Sequence, residues 1–277
     1  MPQNPRTGSI EHRACRLAYQ VRGLGPPVLF IQGTGVHGAG WQPQVEALAE
    51  HYTCLTFDNR GMGGSQPLGA PITVAQMAED AFAIMDGLGW SSAHVVGHSL
   101  GGLVAQQLAL TARSRVRSLA LLCTFARGRD ATRLTPWMLW VGLRTQVGPR
   151  RSRRHAFLQM VLPPTEWESV DRDALAEHLA PLFGHDLADQ PPVAMKQLRA
   201  MSACDLTPQI GAMAGLPTLI VSAQHDRLAP PASGRTLAAG IPGSRYVELP
   251  DAAHGIPLTE PARINGLLLE HLARSGV

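Results

Sequence analysis

From Val28 onward, short apolar runs alternate with longer amphipathic stretches, and few folds accommodate that rhythm. The runs cover 28–31, 53–57, 93–96, 116–123, 218–222 and 246–249; each is brief and rich in β-branched or aromatic residues. Continuous rather than alternating apolarity marks strands covered on both faces, as in a parallel sheet. Helical patterns fill the intervals at 41–51, 73–88, 100–111, 230–239 and 261–273, and 12–22 alternates as an antiparallel edge strand or hairpin would. Between 125 and 216 no strand pattern occurs. Helical patterns at 136–147, 153–162, 172–183 and 193–203 take its place, punctuated by Pro163-Pro164 and Pro191-Pro192. The expectation is an α/β fold, a mostly parallel doubly wound sheet with an inserted helical lid. The core is assigned to 1–126 and 213–277 and the cap to 127–212. A chain of 277 residues, 45% apolar and 16% charged, has the material for one large core and a modest added lobe.

Function in open α/β sheets gathers at the carboxyl ends of the strands. There, Val95-Val96-Gly97-His98-Ser99-Leu100-Gly101-Gly102 reads as strand, tight turn and helix. Aiming the Ser99 hydroxyl into a cleft requires a sharp reversal, so the residues two before and two after approach closely. Gly97 and Gly101 supply the small side chains. A helix N-terminus beneath Ser99 favours developing negative charge. His98 is expected to point away from the cleft and to pack.

A serine hydroxyl needs a base, and the base needs an orienting carboxylate. Of eleven histidines, His254 lies on the loop between the last strand and the last helix, beside Ser99. His12, His51, His155, His178, His185 and His271 fall on patterns that read as solvated faces, and His37 is a loop histidine near the cleft. Asp226 follows the strand at 218–222 and is favoured over Asp251, which is only three residues from His254. An N-cap role for Asp226 looks awkward at four residues from Pro230. The order along the chain is Ser, Asp, His. Oxyanion donors are expected from the Leu100 amide and from Gln32-Gly33-Thr34-Gly35, with the Thr34 amide favoured.

These residues together resemble the α/β-hydrolase superfamily, in its lidded group of small bacterial esterases, lactonases and carbon–carbon hydrolases. The resemblance runs through Gly97-His98-Ser99-Leu100-Gly101, Asp226, and His254 with Glu260-Pro261. It also takes in Asp58-Asn59-Arg60-Gly61-Met62-Gly63-Gly64-Ser65, a loop that is structural in the family. It implies no cofactor and no metal. Gln32-Gly33 stands where the family usually has His-Gly, and Thr34 replaces a residue that is often bulky and apolar.

The expected activity is cleavage of a small-molecule carboxylic ester or lactone through an acyl-enzyme on Ser99. The alternatives are a carbon–carbon hydrolase of a dienoic diketo acid, with a lid arginine on the carboxylate, or a small-molecule receptor on the same fold. Lys196 is the sole lysine, which leaves little room for Schiff-base or Ser–Lys chemistry. A net charge of +3, with no basic face interleaved with aromatics, argues against nucleic acid. No apolar run reaches the length of a membrane span. The opening Met1 to Arg6 lacks a signal-type apolar region, and four scattered cysteines suit a reduced, cytoplasmic setting. Between Arg127 and Arg154, eight arginines face one acid, Asp130. That run is expected to be a solvated face, with steering of an anionic substrate as the other reading. Trp137 and Trp140 are expected to pack against the core, with the lining of an acyl or aromatic pocket as the other reading.

Overall fold

The computed structural model describes residues 4–69, 71–131 and 135–275, and in it the apolar runs are strands. These are β1 (Arg6–His12), β2 (Cys15–Arg22), β3 (Pro27–Ile31), β4 (Thr53–Phe57), β5 (Ala93–His98), β6 (Val116–Leu122), β7 (Thr218–Ala223) and β8 (Arg245–Leu249). They form one eight-stranded sheet in the order β1-β2-β4-β3-β5-β6-β7-β8. β1 pairs with β2, and β2 with β4, antiparallel. The other pairs are parallel.

The edge hairpin is longer than its alternation implied. The expected segment is its second strand. Its first carries one large apolar residue, Ile10, which is too little to print a pattern. The turn is made by Arg13 and Ala14, both at positive φ (47° and 55°), without the Asn-Gly signal that usually announces such a turn.

The helices of the core are α1 (Gln42–Leu48), α2 (Val74–Gly87) and α3 (Leu100–Thr111). Between β6 and β7 come α4 (Gly128–Ala131), α5 (Pro136–Gln146), α6 (Arg150–Val161), α7 (Arg172–Phe183) and α8 (Ala194–Ser202). The chain returns to the sheet through α9 (Pro231–Gly240), then α10 (Ile256–Thr259) and α11 (Pro261–Arg274). Every residue of β5 and β7 is buried, as strands covered on both faces require. Thr73 caps α2 by accepting from the Gln76 amide. α3 is apolar nearly all round because it is wedged between the sheet and α2.

Two apolar clusters result. The larger fills both faces of the sheet. The smaller joins α6 and α7, through Leu158, Val161, Leu179 and Phe183, to Val36 on the loop after β3. Arg60 and Asp80, both buried, pair at 2.6 and 2.9 Å. Arg60 also donates to the carbonyls of His12, Arg13 and Leu68, so the Asp58–Ser65 loop is structural as its resemblance implied. Among the described residues no helix is long and apolar enough to cross a membrane.

The strand order positions the site. β3 has β4 on one side and β5 on the other, so the loops leaving β3 and β5 turn to opposite faces of the sheet. A crevice opens between them at their carboxyl ends. Gln32-Gly33-Thr34 and Ser99 border that crevice.

Candidate active site

Ser99 sits at φ 54° and ψ −121°, a region that non-glycine residues enter only under constraint. The constraint is visible in its neighbours. A Cβ on Gly97 would lie 2.3 Å from the Gly101 carbonyl oxygen, and one on Gly101 would lie 2.0 Å from that of Ile31. Only glycine fits at either position. The turn is fastened by the Ser99 amide donating to the Leu122 carbonyl at 3.0 Å and by the Thr124 hydroxyl donating to the Ser99 carbonyl at 2.7 Å.

The loops after β7 and β8 supply a buried pair. His254 Nδ1 lies 2.7 Å from Asp226 Oδ2, and the two residues are 6% and 4% exposed. Nδ1–H donates to the carboxylate, which leaves Nε2 free to accept a proton. Asp226 Oδ1 accepts from the Leu228 and Ala229 amides, both at 2.8 Å. These bonds close the turn of its own loop; Asp226 does not cap α9, whose N-cap is Pro230 without a side-chain bond, as the sequence reading expected. With one oxygen spent on the backbone, the other is fixed on the imidazole. Asp251 is exposed and lies 3.9 Å from His225, away from His254.

The loop after β3 approaches the serine closely enough that a Cβ on Gly33 would lie 3.2 Å from Ser99 Cβ. Within the described residues, the Thr34 and Leu100 amides donate to no acceptor, whereas their neighbours Gly33 and Gly35 donate to Gln32 Oε1 (3.0 Å) and Gln197 Oε1 (2.8 Å). Two backbone N–H groups are thus left open beside a strained serine. The alpha/beta hydrolase fold family model matches residues 26–261.

The chain belongs to the α/β-hydrolase family. Among curated proteins it is similar to a putative carbamate hydrolase, RutD, of Variovorax paradoxus, at 33% identity over 93% of this chain and 96% of that one. It is also similar to a putative non-heme bromoperoxidase, BpoC, of Mycobacterium tuberculosis, at 32% identity over 93% and 97%. Among solved structures, the enol-lactonase from Burkholderia xenovorans LB400 superposes with a TM-score of 0.77 at 27% identity, covering 97% of this chain and all (100%) of the other.

This α/β-hydrolase surrounds its site with residues that the sequence reading set aside. His98 does pack, but against the base. Its ring is 4.8 Å from that of His254, and its Nε2–H donates to the His254 carbonyl at 2.9 Å. Burial, and then the neighbouring His254, lower its pKa to about 3, so it stays neutral. Cys123 sits at φ 45°; burial first, then the Asp226 charge, pushes its thiol well up. The ring nitrogens of His98 and His254 and the Cys123 sulfur lie within 4.8 Å of one another. Each imidazole keeps one nitrogen lone pair, so what fits a metal poorly is the third member, a thiol that burial holds protonated and therefore without a thiolate to offer.

From the lid, Gln197 accepts the Gly35 amide, and His185 Nε2 lies 2.8 Å from the Gly35 carbonyl. These grips span more than 140 residues of sequence, and no local pattern announces them. His271, expected on a solvated face, is buried on the inner side of α11. His12 and His155 are tied to Asp80 and Asp173. His37 lies 3.9 Å from Asp58 and does not displace His254 as partner of an acid.

The arginine run is a largely solvated face, as expected, and several of its charges are paired. Arg150 pairs with Asp186 and Asp189, Arg151 with Asp173, Arg154 with Asp186, and Arg127 with Asp130. Arg153 donates to the Thr145 and Ala188 carbonyls. Asp173, Asp186 and Asp189 lie beyond the run, on α7 and the loop after it, so α6 is stapled to its neighbours. Arg133 lies outside the described residues, as do Met1 to Gln3 at the head of the chain.

Proposed function

We propose that this protein is a serine hydrolase that cleaves a small carboxylic ester or lactone by acyl transfer through Ser99, His254 and Asp226. The observation that carries the reading is the buried His254–Asp226 bond of 2.7 Å behind a serine held at φ 54°.

In the first half-reaction, Ser99 Oγ attacks the carbonyl carbon while His254 Nε2 takes its proton. Charge collects on the carbonyl oxygen, and the Thr34 and Leu100 amides are the donors for it. Collapse breaks the acyl–oxygen bond, and the proton on His254 passes to the leaving alcohol. In the second half, water loses a proton to His254, attacks the acyl-enzyme, and releases the acid and the Ser99 hydroxyl. Asp226 holds Nδ1–H throughout. In a lactone, the leaving alcohol stays attached to the acyl chain.

Ester and lactone share this carbonyl chemistry with carbamates, which the name of the Variovorax relative brings into the substrate panel. The carbon–carbon alternative called for a lid arginine on a carboxylate, and Arg150, Arg151 and Arg154 are engaged with acids of the lid itself. Within this proposal, 127–212 is the cap over a core of 1–126 and 213–277, and the partner is a small molecule. We take the setting as cytoplasmic, in keeping with four unpaired cysteines.

A fluorophosphonate probe should label Ser99 in the parent chain and leave Ser99→Ala unlabelled. The same variant should lose turnover across a panel of p-nitrophenyl esters, lactones and carbamates. Turnover retained by Ser99→Ala would overturn the assignment.

A further inference from the structure

Trp137, Trp140 and Trp167 are three of the chain's five tryptophans, and they converge on one cavity. Trp137 and Trp140 line this space, the second of the two roles expected of them, and Trp140 is 47% exposed. The cavity is about 210 Å³, below the roughly 300–1,000 Å³ of sites that enclose drug-sized ligands, so it suits a ring rather than a chain of groups. A guanidinium lies 4.8 Å from each indole: Arg227 over Trp137, Arg144 over Trp140 and Arg172 over Trp167. Arg144 and Arg172 do not line the cavity, so they cover ring faces turned away from it and brace the indoles in place.

The remaining walls define what the ring must carry. His225 and Arg227 are the titratable groups among the lining residues, and no carboxylate lines the space. Arg227 has no acidic partner among the described residues, and His225 has only Asp251 at 3.9 Å. A cationic ligand would meet positive charge with nothing to offset it, whereas an anion is favoured. Gln159, on another wall, has a buried side-chain oxygen without a hydrogen-bond partner, an acceptor left waiting for a donor. His225 and Arg227 flank Asp226 in the chain, so the cavity lies against the loop that carries the proposed triad acid.

We propose that this cavity binds the aryl portion of the substrate: a planar ring with an anionic group towards Arg227 and His225 and a hydroxyl or N–H towards Gln159. The proposal rests on the hydrolase reading for the identity of its occupant. 4-Hydroxybenzoate is the simplest probe with all three features. Cyclohexanecarboxylate has the charge without the aromatic plane.

Titrating the full-length Ser99→Ala protein with 4-hydroxybenzoate should quench tryptophan fluorescence saturably. Cyclohexanecarboxylate should bind at least about tenfold more weakly, since stacking on indoles requires a flat ring. Trp167→Leu should weaken 4-hydroxybenzoate about tenfold, and Arg227→Gln should weaken it while leaving uncharged phenol unchanged. In the parent chain 4-hydroxybenzoate should compete with hydrolysis of an aryl ester. The proposal is overturned by absence of saturable quenching, by equal affinity for the saturated ring, or by an unchanged Kd in Trp167→Leu at parental Tm. If Trp167→Leu fails to fold, Trp140→Leu at the half-exposed wall carries the same comparison. Fluorophosphonate labelling without quenching sinks the cavity alone; quenching without labelling sinks the hydrolase reading and the occupant with it.

Discussion

The sheet rim and the proposed lid, α5 to α8, are built from opposite materials. At the rim, backbone meets backbone: Gly97 and Gly101 let segments approach to distances that any side chain would forbid, and Gly33 brings the β3 loop close to Ser99. The polar groups there, His254, Asp226, His98 and Thr124, have fixed partners, and the two open donors are the amides the proposed chemistry uses. In the lid, α6 is held by long side chains reaching across solvent to acids on α7 and the following loop. Its apolar cluster is small, and Leu139, Leu143 and Val147 on and beside α5 are left exposed. Precise placement by buried, satisfied groups suits bond-making, and a lid tied by surface ion pairs has several arrangements close in energy.

If that contrast holds, the largest effect should come from one oxygen at the rim. Asp226→Asn keeps shape and volume but replaces the acceptor for His254 Nδ1–H with a group that can equally donate, and the imidazole then adopts the wrong tautomer. A fall in kcat of about 10⁴-fold is expected, on the order of the loss when a triad acid is neutralised elsewhere. Since Asn can still accept from the Leu228 and Ala229 amides, Tm should move little. A loss of kcat matched by unfolding would mean that the aspartate serves the turn and not the base.

Acid separates the two regions next. Burial lowers the pKa of His94 and His271 to about 4, and that of His98 to about 3. In the unfolded chain each titrates near 6.5, so between pH 6.5 and 4 the unfolded state binds more protons and stability falls with pH. Each buried histidine contributes about 1.4 kcal/mol per pH unit in that window. The lid's Asp173, lowered to about 2 by Arg151 and His155, and Asp186, lowered chiefly by Arg154, act in a different range. Their contribution persists above the unfolded carboxylate value near 3.8 and is lost only below it. Thermal unfolding should therefore weaken from pH 6.5 to 4.5 in the parent chain and do so less in His94→Gln. An unchanged pH slope in that variant would show that the core histidines are not what acid attacks.

The same division explains what the sequence disclosed. Strand runs such as 53–57 and the helix at 100–111 were readable to the residue because covered parallel strands and a wedged helix must be apolar throughout. The Ser99 turn was legible because its glycines are required by backbone clash, which acts between neighbours in the chain. Asp226 and His254 were legible from their places after strand ends. The hairpin's first strand was not, because one apolar residue leaves no periodicity. His98, Gln197 and His185 act through contacts 150 to 162 residues distant, and Cys123 is an ordinary apolar residue after a strand, so nothing local distinguishes them. The pairing of the arginine run was hidden for the same reason: a run of charge states its sign, not where its partners lie.

The smallest expected effect sharpens the lid half of the comparison. Arg151 is largely exposed and pairs with Asp173, itself about half-exposed, at 2.7 Å. Solvent screens such a pair, and holding two long side chains in register costs entropy, so Arg151→Gln should lower Tm only slightly. Because Asp173 keeps His155 at 2.8 Å, the acid is not orphaned and the loss should be smaller still. The informative readout is salt. Raising ionic strength from 0.05 to about 0.5 M shortens the screening length well below 10 Å, and the difference between parent and variant should shrink towards zero. A deficit that survives high salt would mean that the guanidinium stem, packed along α6, stabilises the lid through contact rather than charge, and the lid would then be built more like the rim than its ion pairs imply.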